Sequence, residues 1–227
     1  MDLRLDQLRH TYTAPDLAAR TVLDIETWQV PSGDQVLLRG ISGSGKTTLL
    51  NVLAGLLRPT AGTVWLGERS LYALSEVERD RLRAATIGYV FQMHHLVPTL
   101  SALENVEMPL VFGRSVPGHQ RRARALEVLD RVGLVNYARY RPVQLSTGQR
   151  LRVAVARALA SGPMLVLADE PTAALDMASA HMVMDLLQEE CRERGATLIV
   201  ASHDPSMNAR FSHVVDLSNG VLVEAGA

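Results

Sequence analysis

The sequence predicts an α/β fold built on a largely parallel β-sheet with helices on both faces. Short, continuous apolar runs alternate with helical patterns, which is typical of a parallel sheet that is buried on both sides. A glycine-rich loop stands between one of these runs and a helix, where open parallel sheets bind ligands. With 227 residues, the chain suits one domain of ordinary size, divided into lobes around a shared core.

The first part of the chain is rich in predicted strands. A strand over Gln35–Arg39 leads through the loop Gly40–Gly45 into a helix predicted over Thr47–Leu57. Two more strands are predicted over Thr63–Leu66 and Ile87–Phe91. The glycine-rich loop is therefore expected at the C-terminal end of a sheet strand.

The middle of the chain has helical periodicity, and the alternation of strands and helices then resumes. Helices are predicted over Leu103–Val111, Gln120–Val132, Leu151–Ser161 and Ala178–Arg194, and strands over Met164–Ala168 and Thr197–Ala201. We therefore expect a core of residues 1–92 and 162–227, interrupted by a helical insert of about residues 93–161.

Composition excludes several classes of protein. The 23 basic and 24 acidic residues give a net charge of −1, which argues against a protein that coats nucleic acid. Cys191 is the only cysteine, so no disulfide partner is expected within the chain. No apolar run reaches the length of a membrane span, and Met1–His10 does not resemble a secretory signal. Lys46 is the only lysine.

The segment Gly40–Thr47 fits the phosphate-loop pattern Gly-x-x-x-x-Gly-Lys-Ser/Thr between a strand and a helix. Backbone N–H groups of such a loop surround phosphate oxygens, its lysine reaches the β and γ phosphates, and its hydroxyl joins the Mg²⁺ shell. An ordinary glycine turn is disfavoured by the flanking strand and helix. The predicted nucleotide-contacting residues here are Gly40, Ser42, Gly43, Ser44, Gly45, Lys46, Thr47 and Thr48.

A pair of acidic residues follows the apolar strand that begins at Met164. Asp169 is expected to hold Mg²⁺, directly or through water, and Glu170 to polarise an attacking water. A strand that ends in Asp-Glu is weak evidence by itself, but together with the phosphate loop it indicates hydrolysis of a nucleoside triphosphate.

The segment Leu145–Gln149 reads Leu-Ser-Thr-Gly-Gln and resembles the Leu-Ser-Gly-Gly-Gln signature of ATP-binding cassette (ABC) proteins. Other family elements follow in the expected order along nearly the whole chain. Tyr12 resembles the aromatic residue that stacks on adenine, and Gln92 the glutamine that closes the first lobe. Asp176, in Ala174–Asp176, resembles part of the loop after the acidic strand, and His203 resembles the switch histidine at the γ phosphate.

The resemblance implies an ABC nucleotide-binding domain with an N-terminal antiparallel β subdomain and an inserted helical subdomain. It also implies a homodimer in which ATP lies between the phosphate loop of one chain and the signature of the other. Glu170, His203, Gln92 and Lys46 are then the catalytic residues, with Thr47, Gln92 and Asp169 around Mg²⁺. The signature residues that contact the nucleotide are Ser146, Thr147, Gly148 and Gln149. Thr147 departs from the family glycine, and we expect a competent but slower ATPase.

The segment from Phe91 to Val106 resembles the cassettes of the lipoprotein-release, macrolide-export and cell-division group. This resemblance implies a separate integral membrane permease with an extracytoplasmic domain, and a cytoplasmic location on the inner face of the membrane. In this family the region receives the permease's coupling helix, so Met93, His94, Leu96 and Val97 are expected to form a partly exposed apolar patch. No nucleic-acid partner is expected.

Alternative functions remain open on the sequence alone. A regulatory cassette that controls periplasmic hydrolases through a permease uses the same ATPase. DNA-repair and chromosome-organising ATPases share the signature, but they carry a long coiled coil that is absent between the loop and the signature here. A phosphate-loop kinase has no need of the signature. The isolated histidines, expected at the surface or in hydrogen-bonded positions, are His10, His119, His181 and His213.

Overall fold

The computed structural model describes residues 1–13, 19–113, 116–173 and 175–224. In chain order the strands and helices are β1 (Leu3–Thr13), β2 (Ala19–Val30), β3 (Gln35–Arg39), α1 (Lys46–Leu53), β4 (Ala61–Leu66), β5 (Arg69–Ser70), α2 (Glu76–Thr86), β6 (Ile87–Val90), α3 (Ala102–Gly113), α4 (Gly118–Arg131), α5 (Thr147–Leu159), β7 (Leu165–Asp169), α6 (Met177–Arg194), β8 (Thr197–Ser202), β9 (His213–Ser218) and β10 (Val221–Glu224). Short 3₁₀ helices cover Val135–Tyr137, Pro142–Gln144 and Pro205–Arg210.

Two sheets organise these elements. The smaller sheet has the order β2–β1–β4–β5, and all of its neighbouring strands are antiparallel. The larger sheet has the order β10–β9–β3–β8–β7–β6, and every pair from β9 to β6 is parallel. Only β10 runs antiparallel to its neighbour in that sheet, as far as the described residues extend. The predicted α/β fold with a largely parallel sheet and an N-terminal antiparallel sheet is confirmed.

The larger sheet is buried on both faces because its central strands β3, β7 and β8 each carry a run of at least three consecutive buried apolar residues. Side chains alternate between the faces, so Val36 and Leu38 of β3 join one core and Leu37 joins the other. The first core lies against α1 and the smaller sheet, whereas the second includes residues of α3, α4, α5 and α6. This sandwich fixes the central strands rigidly between two layers.

Two helix boundaries differ from the sequence predictions by four residues, and the other boundaries of the predicted helices differ by two residues or fewer. Helix α5 begins at Thr147, four residues earlier than predicted, because Ser146 caps it and accepts a hydrogen bond from the Gln149 amide. Helix α1 ends at Leu53 because Gly55 adopts a left-handed conformation with φ +70°.

Helix α2 was not predicted at all. It is polar nearly all round and buries only Leu82, so it lacks an apolar stripe. The capping box between Ser75 and Glu78 is the signal that could have revealed it.

The parallel strands bring four loops to one edge of the larger sheet. Gly40 follows β3, Phe91 follows β6, Asp169 ends β7 and His203 follows β8. Because carboxyl ends of parallel strands lie at the same edge, residues far apart in sequence meet there. Among the described residues, no helix combines the length and apolar character that crossing a membrane requires.

Candidate active site

The loop after β3 is shaped by its glycines. A Cβ atom on Gly40 would lie 2.5 Å from Oγ of Ser44 and 2.6 Å from the carbonyl oxygen of Leu217, so a larger residue does not fit. Gly45 caps α1 with φ +107°, a conformation that side-chain-bearing residues rarely adopt. The Ser44 hydroxyl is buried and has no hydrogen-bond partner among the described residues. The backbone thus turns around a concave space at a helix N-terminus, which favours an anion.

Lys46 is buried within the first turn of α1, and its side chain folds back over the loop. Its Nζ atom donates hydrogen bonds to the carbonyl oxygens of Gly40 at 2.6 Å and Ile41 at 3.2 Å. The same atom lies 3.8 Å from Oε1 of Glu170. The only lysine of the chain is therefore a positive charge held at the phosphate loop.

Thr47 and Asp169 meet although they are 122 residues apart. The Thr47 hydroxyl donates a hydrogen bond of 2.7 Å to Oδ2 of Asp169. Burial raises the pKa of the Asp169 carboxyl, and the hydrogen bond from Thr47 only partly offsets this. A hydroxyl and a carboxylate at one point provide the hard oxygen donors that Mg²⁺ prefers.

Glu170 lies just beyond β7 with φ +48°, in the left-handed region. Its Oε1 atom is 2.7 Å from Nδ1 of His203, and its Oε2 atom accepts a longer hydrogen bond of 3.4 Å from the Ser202 hydroxyl. The carboxylate is 9% exposed and the histidine ring 64% exposed. Two neighbours thus orient this carboxylate at the mouth of the cleft.

These groups line one cleft with a volume of about 440 Å³. Its described lining consists of Tyr12, Arg20, Val22, Ser42, Gly43, Gly45, Lys46, Thr47, Thr48, Gln92, Asp169, Glu170 and His203. The cleft therefore gathers most of the residues predicted from the sequence, including the exposed Gln92. Sequence reasoning missed Arg20, which pairs with Tyr12 across β1 and β2, and Val22, which lies beside Gly45 of the phosphate loop.

Tyr12 presents its ring at one end of the cleft and is 46% exposed. Its hydroxyl lies 3.4 Å from Oγ1 of Thr48, and its ring meets the His10 ring edge to face at a centroid distance of 4.6 Å. The expectation for His10 was wrong, because this ring is buried and neither nitrogen has a partner in the described part of the chain. It serves as packing beneath Tyr12.

The signature residues lie at the N-terminus of α5 and are not among the residues that line this cleft. Ser146 and Thr147 are exposed, and the Thr147 hydroxyl accepts a hydrogen bond of 3.0 Å from Arg150. Asp176 caps α6 by accepting a hydrogen bond from the Ser179 amide, which lowers the pKa of its carboxyl. Ala174 lies outside the described residues. The N-terminus of α5 is therefore exposed and lies outside the cleft of its own chain.

The predicted apolar patch is only partly exposed. Met93 is 76% exposed, whereas Leu96 packs against the core and His94 and Val97 are half-buried. Beside this segment lies a second cavity of about 470 Å³, bounded by β6, the loop after it and helices α2, α3 and α5. Its lining is largely apolar and includes Phe91, Met108 and Phe112.

Residues 23–173 match the family described as ABC transporter. The chain belongs to the ABC transporter family. It is an ATP-binding cassette of that family, the subunit that hydrolyses ATP. The arrangement of phosphate loop, acidic pair and histidine in one cleft agrees with this membership.

Two curated relatives illustrate the similarity of this ABC cassette. The lipoprotein-releasing system ATP-binding protein LolD of Pseudomonas fluorescens is 45% identical over 191 residues, which cover 84% of each chain. The macrolide export ATP-binding/permease protein MacB of Rhodopseudomonas palustris is 42% identical over 221 residues. That match covers 97% of the cassette but only 33% of the relative, so the chain spans about a third of that protein.

Solved structures of a related cassette agree with the fold. A dimeric post-hydrolysis state of the ATP-binding cassette MJ0796, bound to ADP and Pi, has a TM-score of 0.92 and 37% identity. The match covers 98% of this chain and 97% of the MJ0796 chain. A second dimeric structure of MJ0796, described as a bacterial ABC transporter cassette, has a TM-score of 0.91 and 36% identity.

Proposed function

We propose that this cassette is the motor of a membrane complex, in which a homodimer closes on ATP, hydrolyses it and thereby drives a separate permease. The observation that carries the proposal is the convergence of Lys46, the Thr47–Asp169 pair and the Glu170–His203 pair in one cleft. ATP binding that is tighter in the closed dimer than in the open one supplies the population shift that such a motor needs.

In the cleft we assign Glu170 as the general base that takes a proton from the attacking water. The hydrogen bond at 2.7 Å from His203 supports an orienting role for this histidine, which would also face the γ phosphate of bound ATP. Lys46 would leave its loop carbonyls to neutralise charge on the β and γ phosphates. Gln92 also lines the cleft and would position the water or the γ phosphate.

We assign Thr47, Asp169 and Gln92 to the Mg²⁺ shell. The hydrogen-bonded hydroxyl and carboxylate fit a hard cation, because the Thr47 oxygen would offer a lone pair to the ion while its proton stays on the hydrogen bond to Asp169. When bound, Mg²⁺ neutralises charge on the phosphates and fixes their orientation.

Recognition of the rest of ATP falls to two further groups of residues. Tyr12 and Thr48 lie together at one end of the cleft, which supports stacking of adenine on the Tyr12 ring. Ser146, Thr147, Gly148 and Gln149 lie outside the cleft of their own chain, which supports contact with the γ phosphate of the second copy. Asp176, in the loop that follows the acidic strand, would lie at the same interface.

The permease would dock beside the loop after β6. The cavity of about 470 Å³ is lined mostly by apolar side chains and has Asp80 and Arg83 at its edge. It would take a short helix of an integral membrane protein with an extracytoplasmic domain, so that the cassette lies on the cytoplasmic face of the inner membrane. Residues 93–161 would then form a helical subdomain and residues 1–92 with 162–227 the nucleotide-binding core.

Two other roles use the same chemistry. A regulatory cassette that controls periplasmic hydrolases would also bind a permease, whereas an ATPase that acts on nucleic acid would not. The near-neutral charge of the chain favours the membrane complex over the nucleic-acid role.

The proposal is tested by replacing Glu170 with Gln and measuring ATP hydrolysis and dimerisation. We expect turnover to be lost and an ATP-bound dimer to accumulate, because binding groups remain while the base is removed. Glu189→Gln, at an exposed position on α6, is the matched control. Retained turnover in Glu170→Gln would contradict the role of this residue. Copurification of the chain from membranes with an integral membrane protein would support the proposed partnership with a permease. Recovery of the chain with DNA or ribosomes would contradict that partnership.

A further inference from the structure

The backbone after Gln92 adopts an unusual conformation at two consecutive residues. His94 has φ +61° and His95 has φ +45°, both in the left-handed region that residues other than glycine seldom adopt. The turn is closed by two short-range hydrogen bonds, from the His94 amide to the Phe91 carbonyl at 2.9 Å and from the His95 amide to the Met93 carbonyl at 2.7 Å. Such a conformation persists only where surrounding contacts hold it.

One guanidinium provides those contacts. Nη2 of Arg157 donates to the His94 carbonyl at 2.7 Å, and Nη1 donates to the His95 carbonyl at 2.6 Å. Burial lowers the pKa of Arg157, and no described carboxylate offsets this effect. A partly buried cation is costly unless it is hydrogen-bonded, and the two carbonyls satisfy donors of this guanidinium. The planar fork of arginine matches two neighbouring carbonyls in a way that lysine cannot.

The location of Arg157 gives this contact its significance. The residue lies in the last turn of α5, the helix that begins at the signature residue Ser146. The carbonyls that it holds follow Gln92, which lines the nucleotide cleft, by two and three residues. Arg157 and His95 also line the apolar cavity, where the His95 ring meets Phe91 edge to face at 5.0 Å. One side chain therefore connects a rigid helix with the loop between the cleft and the cavity.

We infer that Arg157 is a positioning residue that fastens the loop from Gln92 to His95 to α5. Through this bond Gln92 keeps its place at the nucleotide, and a displacement of α5 moves the loop with it. The inference rests on the proposed function for the role of Gln92, whereas the fastening of the loop can be measured without any turnover.

The test compares Arg157→Met and Arg157→Lys with Arg152→Met. Arg152 is a matched control because it lies on the same helix and donates a hydrogen bond of 3.2 Å to the Val132 carbonyl, away from the loop. Hydrogen exchange at the His94 and His95 amides should become about tenfold faster in Arg157→Met and change less than about twofold in Arg152→Met. Arg157→Lys should give an exchange rate between those of the unmodified chain and Arg157→Met, because an ammonium group lacks the planar fork that binds both carbonyls.

Steady-state ATP hydrolysis provides the second readout. In Arg157→Met we expect kcat to fall about tenfold while the KM for ATP stays within about twofold, because Tyr12 and the phosphate loop are untouched. Unchanged amide exchange in a folded Arg157 variant, or equal kinetic losses in the Arg157 and Arg152 variants, overturns the inference. If Arg157→Met does not fold, Arg157→Lys decides by the same two measurements. Absence of hydrolysis in the unmodified chain would contradict the proposed function, while amide exchange would still decide the role of Arg157.

Discussion

Nδ1 of His203 lies 2.7 Å from Oε1 of Glu170, so the loops after β8 and β7 share one hydrogen bond at the mouth of the cleft. The pairing joins an exposed ring to a buried carboxylate. It also explains the left-handed backbone of Glu170, because that conformation brings the carboxylate toward both His203 and Lys46. We therefore expect the acid and the histidine to function as a unit.

We expect His203→Ala to lower kcat for ATP hydrolysis by up to about 10²–10⁴-fold, the range of general base catalysis, because His203 orients the Glu170 base. The KM for ATP should change little, because the phosphate loop and Tyr12 remain intact. His181→Ala is the matched control, since His181 is exposed on α6. A drop in kcat of less than about threefold would show that Glu170 needs no partner.

Thr147→Gly tests the departure from the family signature. The Thr147 side chain is exposed at the start of α5 and holds Arg150 through its hydroxyl. Removing the branched side chain should raise turnover by roughly two- to tenfold, since relief of about 1 kcal/mol corresponds to less than a factor of ten. Thr147→Ser separates the hydroxyl from the methyl group. If glycine leaves both turnover and ATP-driven dimerisation unchanged, threonine is merely tolerated there.

Tyr12 should contribute to nucleotide affinity through its ring alone. Tyr12→Ala is expected to weaken ATP binding by about two- to tenfold, because aromatic stacking contributes about 0.5–1.5 kcal/mol. Tyr12→Phe should stay close to the unmodified chain, since the contact of the hydroxyl with Thr48 is long at 3.4 Å. Fluorescence titration with ATP measures both. Equal losses in the two variants would point to the hydroxyl instead.

His213 should make stability depend on pH. Burial lowers the pKa of this imidazole, but the hydrogen bonds and charges of Asp34 and Glu224 outweigh that effect and raise the pKa overall. Protonated His213 is thus favoured in the folded state. Its stabilisation is fully present below the ordinary pKa of about 6.5 and is lost as the pH rises through the higher folded value.

Thermal unfolding of His213→Gln and of the unmodified chain between about pH 5 and pH 8 measures this contribution. The difference in Tm should be largest at the acidic end and should shrink as the pH rises. His119→Gln is the control, because His119 is exposed and distant in sequence from both carboxylates. A Tm difference that grows with pH would contradict the assignment.

The sheet and the cleft were predictable because they depend on short-range patterns. The apolar run of β7 and the glycines around Lys46 determine their local structure, and the parallel arrangement then brings Thr47 to Asp169. The carbonyls that Arg157 holds are 62 and 63 residues away from it. Such a contact depends on how α5 lies against the loop, and no local pattern encodes it.

Other features escaped prediction for a similar reason. Arg20 enters the cleft only through strand pairing with Tyr12, and His10 is buried because its strand turns that face inward. The polar helix α2 has no apolar periodicity to identify it. Sequence patterns thus reveal elements that have a repeating apolar face and miss those that are defined by distant partners.

The outward-facing N-terminus of α5 means that one chain contributes halves of two different catalytic centres in the proposed dimer. Hydrolysis at high dilution should then increase with the square of the chain concentration. A mixture of chains defective at Lys46 with chains defective at Ser146 should also regain activity. Each mixed pair combines both lesions in one centre and leaves the other centre intact.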